Sequence, residues 1–220
     1  MKLLKLAAAG LAALALTAAA SAVDWTHRVT QTPAGAFVLG NPAAKTRLVE
    51  YVSYTCSHCA HFTKEASAPL RKYVASGGTA IEIRHAVRDP IDLAAALLAR
   101  CTGPSRFFAA HDKLFATQET WFEAAGKYIE ANRPALENAQ QAQQLQMVAK
   151  GAGLGPILGM DDAKVNACLA DSAAEKPVLA MTDEAWDKRK IPGTPYFMIN
   201  GTGVESTASW AALEPHLKQN

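Results

Sequence analysis

The chain has 220 residues, 50% of them hydrophobic and 19% charged, which suits one domain carrying an elaboration or two closely packed ones. Lys and Arg number 22 against 20 Asp and Glu, a net charge of +2. That balance leaves no basic stripe of the kind nucleic-acid binding requires, so no nucleic-acid partner is expected.

The chain opens with Met1-Lys2-Leu3-Leu4-Lys5, a basic start, followed by an apolar, alanine-rich run over residues 6–19 and then Ala20-Ser21-Ala22. This order predicts a signal peptide over residues 1–22, cleaved after Ala22, and hence an exported protein. A membrane span usually needs about 20 strongly apolar residues, which this run does not supply. No cysteine lies near the cleavage point, so no lipid anchor is expected there. All four cysteines, Cys56, Cys59, Cys101 and Cys168, fall in the exported part, where an even count reads as disulfides.

Residues 23–45 are rich in turn signals around Ala36-Phe37-Val38-Leu39, which reads as a short edge strand. A buried strand is expected over residues 48–53. A helix over residues 56–76 follows, with a kink at Pro69 and an end at Gly77-Gly78. Residues 79–87 alternate as a strand, with Ile81 and Ile83 on one face. From about residue 89 to 171 strand signals vanish, and four or five helices are expected, with residues 151–156 as a loop. Helix returns over residues 173–190. A strand Tyr196–Ile199, an Asn200-Gly201 turn, a short strand near Gly203 and a closing helix with Trp210, Leu213 and Leu217 complete the chain. The helical block thus interrupts an α/β unit, and one sheet is built from pieces distant in sequence.

Cys56-Ser57-His58-Cys59 sits between a strand and a helix, the thioredoxin-type redox arrangement. The helix mouth offers free N–H groups and a positive dipole end that favour a thiolate on Cys56. A free thiol titrates near ~8.5, and lowering that by about two units takes roughly 2.7 kcal/mol. A helix dipole typically gives ~0.3–1 kcal/mol, so His58 is expected to contribute by lying over the sulfur. Cys59, one turn further in, suits a resolving thiol. The alternative, half a zinc knuckle, needs a second close pair that Cys101 and Cys168 do not form, so no metal is expected.

Glu50 stands inside an apolar strand. It is either a buried acid that relays protons to Cys59 or a sign that this strand face is wet. Thr194-Pro195 begins a strand, inviting a cis bond that leaves the Thr194 backbone free to pair with an extended peptide; the alternative is an ordinary trans turn. Cys101 and Cys168 lie near the two ends of the helical block. A disulfide there would close about 68 residues and contribute roughly 4 kcal/mol; otherwise they are two buried free thiols.

The pieces 40–42, 48–59, the helical insertion and Gly193-Thr194-Pro195-Tyr196-Phe197 together resemble the DsbA-like thiol:disulfide oxidoreductases of the bacterial periplasm, over residues 36–220. The resemblance implies an α/β fold: a thioredoxin fold with an all-helical domain inserted between two halves of the sheet. The thioredoxin-like domain would take residues 23–90 and 173–220, and the helical domain residues 91–172. It implies Cys56 as nucleophile, Cys59 as resolving thiol, His58 as thiolate stabiliser, Glu50 as buried acid and Pro195 as the cis proline beside Thr194, with no cofactor. Such proteins donate a disulfide to reduced, newly exported proteins and are re-oxidised by a membrane-embedded, quinone-linked oxidase. Two departures stand out: Ser57 replaces the proline of many relatives, and Thr194 is shared with isomerase-type relatives. Those relatives are dimers with an N-terminal dimerisation domain, for which the stretch before the sheet leaves no room, so a periplasmic monomer is expected. The leading expectation is a dithiol oxidase; the alternatives are an isomerase or reductase for particular clients, and a peptide-binding holdase without redox turnover.

Overall fold

A computed structural model describes residues 23–205 and 207–218. The export signal expected at residues 1–22 lies outside the described residues. The sheet has six strands in the order β1-β2-β4-β3-β5-β6: β1 Val29–Gln31, β2 Phe37–Gly40, β3 Thr46–Val52, β4 Thr79–His85, β5 Tyr196–Ile199 and β6 Thr202–Val204. Only β3 and β4 pair in parallel, Leu48 opposite Ile81 and Glu50 opposite Ile83; the other neighbours are antiparallel. β3 therefore sits inside the sheet with both faces covered, and its alternation separates two cores. Leu48 and Val52 join the main core, whereas Val49 and Tyr51 pack with Ala185, Ile191 and Met198 on the reverse face.

α1 (Ser57–Ala75) lies on the first face and buries Cys59, Phe62, Thr63, Ala66, Leu70 and Val74, a helical stripe at spacings of three and four. Pro69 lies inside this helix without ending it. The segment 36–39 is not an edge strand: β1 pairs outside it, Val29 opposite Leu39. β1 is only three residues of mixed polarity, too short to show a period.

Between β4 and α9 (Ser172–Asp183) run seven helices among the described residues: α2 Pro90–Cys101, α3 Pro104–Ala116, α4 Gln118–Ala131, α5 Arg133–Glu137, α6 Gln141–Gly151, α7 Leu154–Leu158 and α8 Asp162–Leu169. This exceeds the four or five expected, because α5 and α7 are too short to carry a hydrophobic repeat. The stretch read as a loop at 151–156 contains the start of α7. α2 is the axis of the block: residues 91–99 are all buried, and it touches α3, α6, α7, α8 and α9. Cys101 at its end is bonded to Cys168 of α8, with Cα atoms 6.0 Å apart.

α9 (Ser172–Asp183) starts at Asp171, whose carboxylate accepts from the Ala173 and Ala174 N–H groups, and it widens into a π turn over Glu184–Lys188. It returns the chain to the sheet, where β5 pairs with β3. Asn200 and Gly201, both at positive φ, turn β5 into β6, and the Asn200 carboxamide accepts from the Arg47 N–H at 2.8 Å. α10 (Trp210–Lys218) closes against α1, with Trp210 edge-on to Tyr73 and the Tyr73 hydroxyl bonded to Glu214. Among the described residues no helix is long and apolar enough to cross a membrane.

Candidate active site

Four residues, 53–56, carry the chain from the end of β3 to the mouth of α1. Cys56 is the residue before the first helical turn, and its N–H donates to the Ser53 carbonyl at 3.1 Å. Cys56 is 3% exposed and Cys59 fully buried, whereas Ser57 and His58 are exposed. Both cysteines are free thiols. The Thr194–Pro195 bond is cis, and the Cys56 thiol donates to the Thr194 carbonyl at 3.1 Å. The proline strand start and the cysteine motif, 138 residues apart, therefore meet at one sulfur.

The two thiols are driven apart electrostatically. The Cys56 thiol is lowered to about 5. The largest cause is the hydrogen bond from the Cys59 thiol, opposed by burial; the Thr194 side chain, the Cys59 backbone N–H and the Arg88 charge add to the lowering. Thr194 Oγ1 is buried with no partner in the dithiol, so its hydrogen is free to turn to a Cys56 thiolate. Cys59 moves the other way, well above the ordinary thiol range, first because it is buried and then because Cys56 shares its proton. In the reduced pair, Cys56 is thus the anion and Cys59 holds the proton.

His58 reaches the first turn of α1 but points to solvent, and none of its atoms hydrogen-bonds the sulfur. The groups arranged around the thiol are Cys59, Thr194 and Arg88. His61 pairs with Glu65 on the helix surface at 2.9 Å. His85 is sealed between Tyr54 and Phe107, and burial holds it well below the ordinary histidine range.

Glu50 is 3% exposed, so the face of β3 that carries it is not wet. Its carboxyl is raised to about 8, mainly by burial, with the Asp112 charge adding to the rise. Oε1 has no partner. It borders a cavity of about 30 Å³ that also meets Thr63, Arg71, His111 and Asp112. Thr63 Oγ1 is a second unpartnered buried oxygen on that cavity, whose size is about that of one water. Glu50 also adds to the rise at Cys59, so the two groups sense each other. Among the described residues no three His, Cys, Asp or Glu side chains are grouped to hold a metal ion.

A polar cluster that the motifs do not announce surrounds residues 53–55. Asp92 of α2 accepts from the Ser53 hydroxyl and the Tyr54 N–H, each at 2.6 Å, and from the Arg88 N–H at 3.0 Å. Arg88 donates to Ser53 Oγ and Thr55 Oγ1, and Thr55 donates to Asp89. Gln118 of α4 donates to the carbonyls of Tyr54 and Cys56 at 2.7 and 2.8 Å. The Asp89-Pro90 pair, a helix cap followed by a first-turn proline, is the one sequence signal for this corner.

Comparison with known proteins agrees with this arrangement. The profile of a family described as Thioredoxin matches residues 32–219. A putative protein-disulfide oxidoreductase of Rickettsia bellii is 29% identical over 171 residues, 77% of this chain and 58% of that protein. The chain therefore spans little more than half the length of such curated relatives. The crystal structure of a protein-disulfide isomerase from Novosphingobium aromaticivorans is 40% identical with a TM-score of 0.77, covering 83% of this chain and 95% of that one. Wolbachia pipientis alpha-DsbA1, at 22% identity and a TM-score of 0.61 over 83% of this chain and 88% of that one, shares the fold. This chain sets a cysteine pair at a strand-to-helix corner, facing a cis proline on a sheet split by helices; it belongs to the thioredoxin family, with the fold of its DsbA-like members.

Proposed function

We propose that this chain is a thiol:disulfide oxidoreductase that donates the Cys56–Cys59 disulfide to reduced exported proteins. The observation that carries this reading is the opposed pair of thiols, Cys56 lowered to about 5 and Cys59 raised well above its ordinary range. A dithiol whose outer sulfur is a stabilised anion is a favourable product, so its disulfide is a strong oxidant. A substrate thiolate attacks Cys56 Sγ of the disulfide, the Cys56–Cys59 bond breaks, and Cys59 leaves with the electron pair. Glu50, neutral below about 8, supplies the proton that Cys59 needs. A second substrate thiolate then attacks the substrate sulfur of the mixed disulfide and releases the Cys56 thiolate. The substrate loses two electrons and the enzyme gains them.

Thr194 and Pro195 would hold the substrate backbone beside Cys56, and His58 would add positive charge from solvent when protonated. The disulfide Cys101–Cys168 would brace the helical insertion. Export through residues 1–22, a periplasmic location, a monomeric state and re-oxidation by a membrane-embedded, quinone-linked oxidase complete the reading. The deciding experiment equilibrates the protein with glutathione buffers and reads the fraction of Cys56–Cys59 disulfide. A potential at the oxidising end of the thioredoxin-fold range is expected; one near the reducing, thioredoxin-like end rejects the oxidase direction.

A second reading, disulfide isomerase, is supported by Thr194 and by the 40% identity to the protein-disulfide isomerase. Strong reshuffling of a scrambled substrate with weak net oxidation would favour it. A holdase without redox turnover would protect clients equally well as Cys56→Ala.

A further inference from the structure

We infer that Asp92, in the first turn of the helical insertion, is a positioning residue that sets the reactivity of Cys56 through Ser53. The inference rests on the reading of Cys56–Cys59 as the redox pair. Ser53 is the hinge of the arrangement. Its carbonyl accepts the Cys56 N–H at 3.1 Å, and its own N–H is turned to the Cys59 sulfur, where it opposes the effect of burial. One backbone residue thus faces both cysteines. What holds that residue is its side chain: Ser53 Oγ donates to Asp92 at 2.6 Å, receives Arg88 Nε at 3.0 Å and receives the Thr55 N–H at 3.3 Å.

Asp92 is 1% exposed and is bonded both to the segment after β3 and to the start of its own helix. Its own N–H donates to Asp89 Oδ1 at 2.8 Å, which caps α2, and its carboxylate takes the Tyr54 N–H with the oxygen that Ser53 does not use. Asp92 therefore ties the start of the insertion to both residues that follow β3. Short bonds from the Ser53 hydroxyl and the Tyr54 N–H to its two different oxygens fix the orientation of the carboxyl, which suits a fixed post rather than a mobile group. Arg88 is in no ion pair among the described residues; its guanidinium binds the hydroxyls of Ser53 and Thr55, so its charge is held on the Cys56 side of the cluster. Three further side chains that touch residues 53–56 carry no acid: Gln118 on the Tyr54 and Cys56 carbonyls, Thr194 beside the sulfur, and His111 on the Tyr54 hydroxyl. The acids nearby are Glu50 on the Cys59 side, which keeps its proton up to about 8, and Asp89 behind Thr55.

Asp92→Asn keeps the shape but places an amide donor against either the Tyr54 N–H or the Arg88 N–H, which frees residues 53–54. The measurement is the titration of the Cys56 thiolate by its ultraviolet absorbance, together with the glutathione redox potential, on protein shown to be folded by circular dichroism. The expected result is a Cys56 titration raised by about one unit, hence about tenfold less thiolate and about tenfold slower alkylation below the midpoint, with a more reducing potential. Ser53→Ala, which removes one donor and leaves Asp92 in place, is expected to move both readings the same way by less; it decides the matter if Asp92→Asn does not fold. A purely structural role would lower the melting temperature and leave both readings at their wild-type values in the folded variants, and that result overturns the assignment. If wild-type protein forms no reversible Cys56–Cys59 disulfide with glutathione, the redox reading itself falls and the assignment with it. A cycling wild type with unchanged variants removes only Asp92.

Discussion

Glu50 and Asp92 are both carboxyl groups sealed in the fold beside the cysteine corner, 3% and 1% exposed, and burial raises both, to about 8 and about 7. Their surroundings are nonetheless opposite. Asp92 accepts from the Ser53 hydroxyl, the Tyr54 N–H and the Arg88 N–H. Glu50 has one oxygen with no partner at all, next to a cavity of about 30 Å³. Similar titrations thus hide different work. A carboxyl clasped by three donors is a fixed acceptor whose removal strands those donors. A carboxyl with an empty side has a proton it can give up. In a low-dielectric site, the partners decide the role and the degree of burial does not.

The largest expected effect tests the clasped member. Asp92→Ala strands two buried donors, the Ser53 hydroxyl and the Tyr54 N–H, and also frees the part-buried Arg88 N–H; at about 1–3 kcal/mol for each stranded buried donor, a loss of about 3 kcal/mol or more is expected. Urea unfolding of the reduced protein checks it. A loss below about 1 kcal/mol would show that Asp92 is not the post that its hydrogen bonds describe.

Glu50→Gln sharpens the other side of the contrast, and its sign is opposite. The folded carboxyl keeps its proton up to about 8 whereas the unfolded one loses it near 4.5. Between those values the folded state binds more protons, so wild-type stability falls as pH rises through this window and levels off above it. The amide does not titrate and lacks that fall. Relative to wild type, Glu50→Gln should therefore gain stability from pH 5 to pH 8, on the order of 3 kcal/mol at the top of the window. Paired unfolding curves at the two pH values read it directly. On the proposed mechanism, in which Glu50 supplies the Cys59 proton, turnover should fall at the same time. A stability difference independent of pH would mean that Glu50 is already ionised, and the contrast with Asp92 would collapse.

Much of this site is legible in the amino-acid sequence alone. Cys56 and Cys59 are visible because the motif depends on a strand, a helix and a spacing of three, all local. Glu50 is visible because a carboxylate breaks an apolar strand, although only the packing of α1 on β3 decides between buried acid and wet face. Thr194-Pro195 is visible as a strand start, but its meeting with Cys56 depends on β5 pairing with β3 across the insertion. Asp92 escapes because its signal is masked twice over. An acid in the first turn of a helix ordinarily favours the dipole from solvent, and its neighbours Ile91, Leu93 and Ala94 announce only a core helix. Nothing local marks that this particular turn faces residues 53–54. β1, α5 and α7 escape for a plainer reason, being too short to repeat the pattern that would reveal them.

The same contrast between partnered and unpartnered groups predicts the smallest effect, at His58. Its position two residues after Cys56 suggests a stabiliser, yet the ring is exposed and makes no hydrogen bond to the sulfur. The lowering of Cys56 begins with the Cys59 thiol and continues through Thr194, groups that are fixed by the fold. An exposed charge acts through water and is worth at most about 1 kcal/mol, less than one unit on a neighbouring titration. His58→Ala should therefore raise the Cys56 titration by a few tenths of a unit, and the rise should shrink further as salt screens the imidazolium. The hydrogen bonds from Cys59 and Thr194 do not depend on ionic strength in this way. Titrating the Cys56 thiolate in wild type and His58→Ala at low and high salt separates the two mechanisms. A rise of about two units that survives high salt would mean that the ring folds over the thiolate in solution and shares the work now given to the fixed partners.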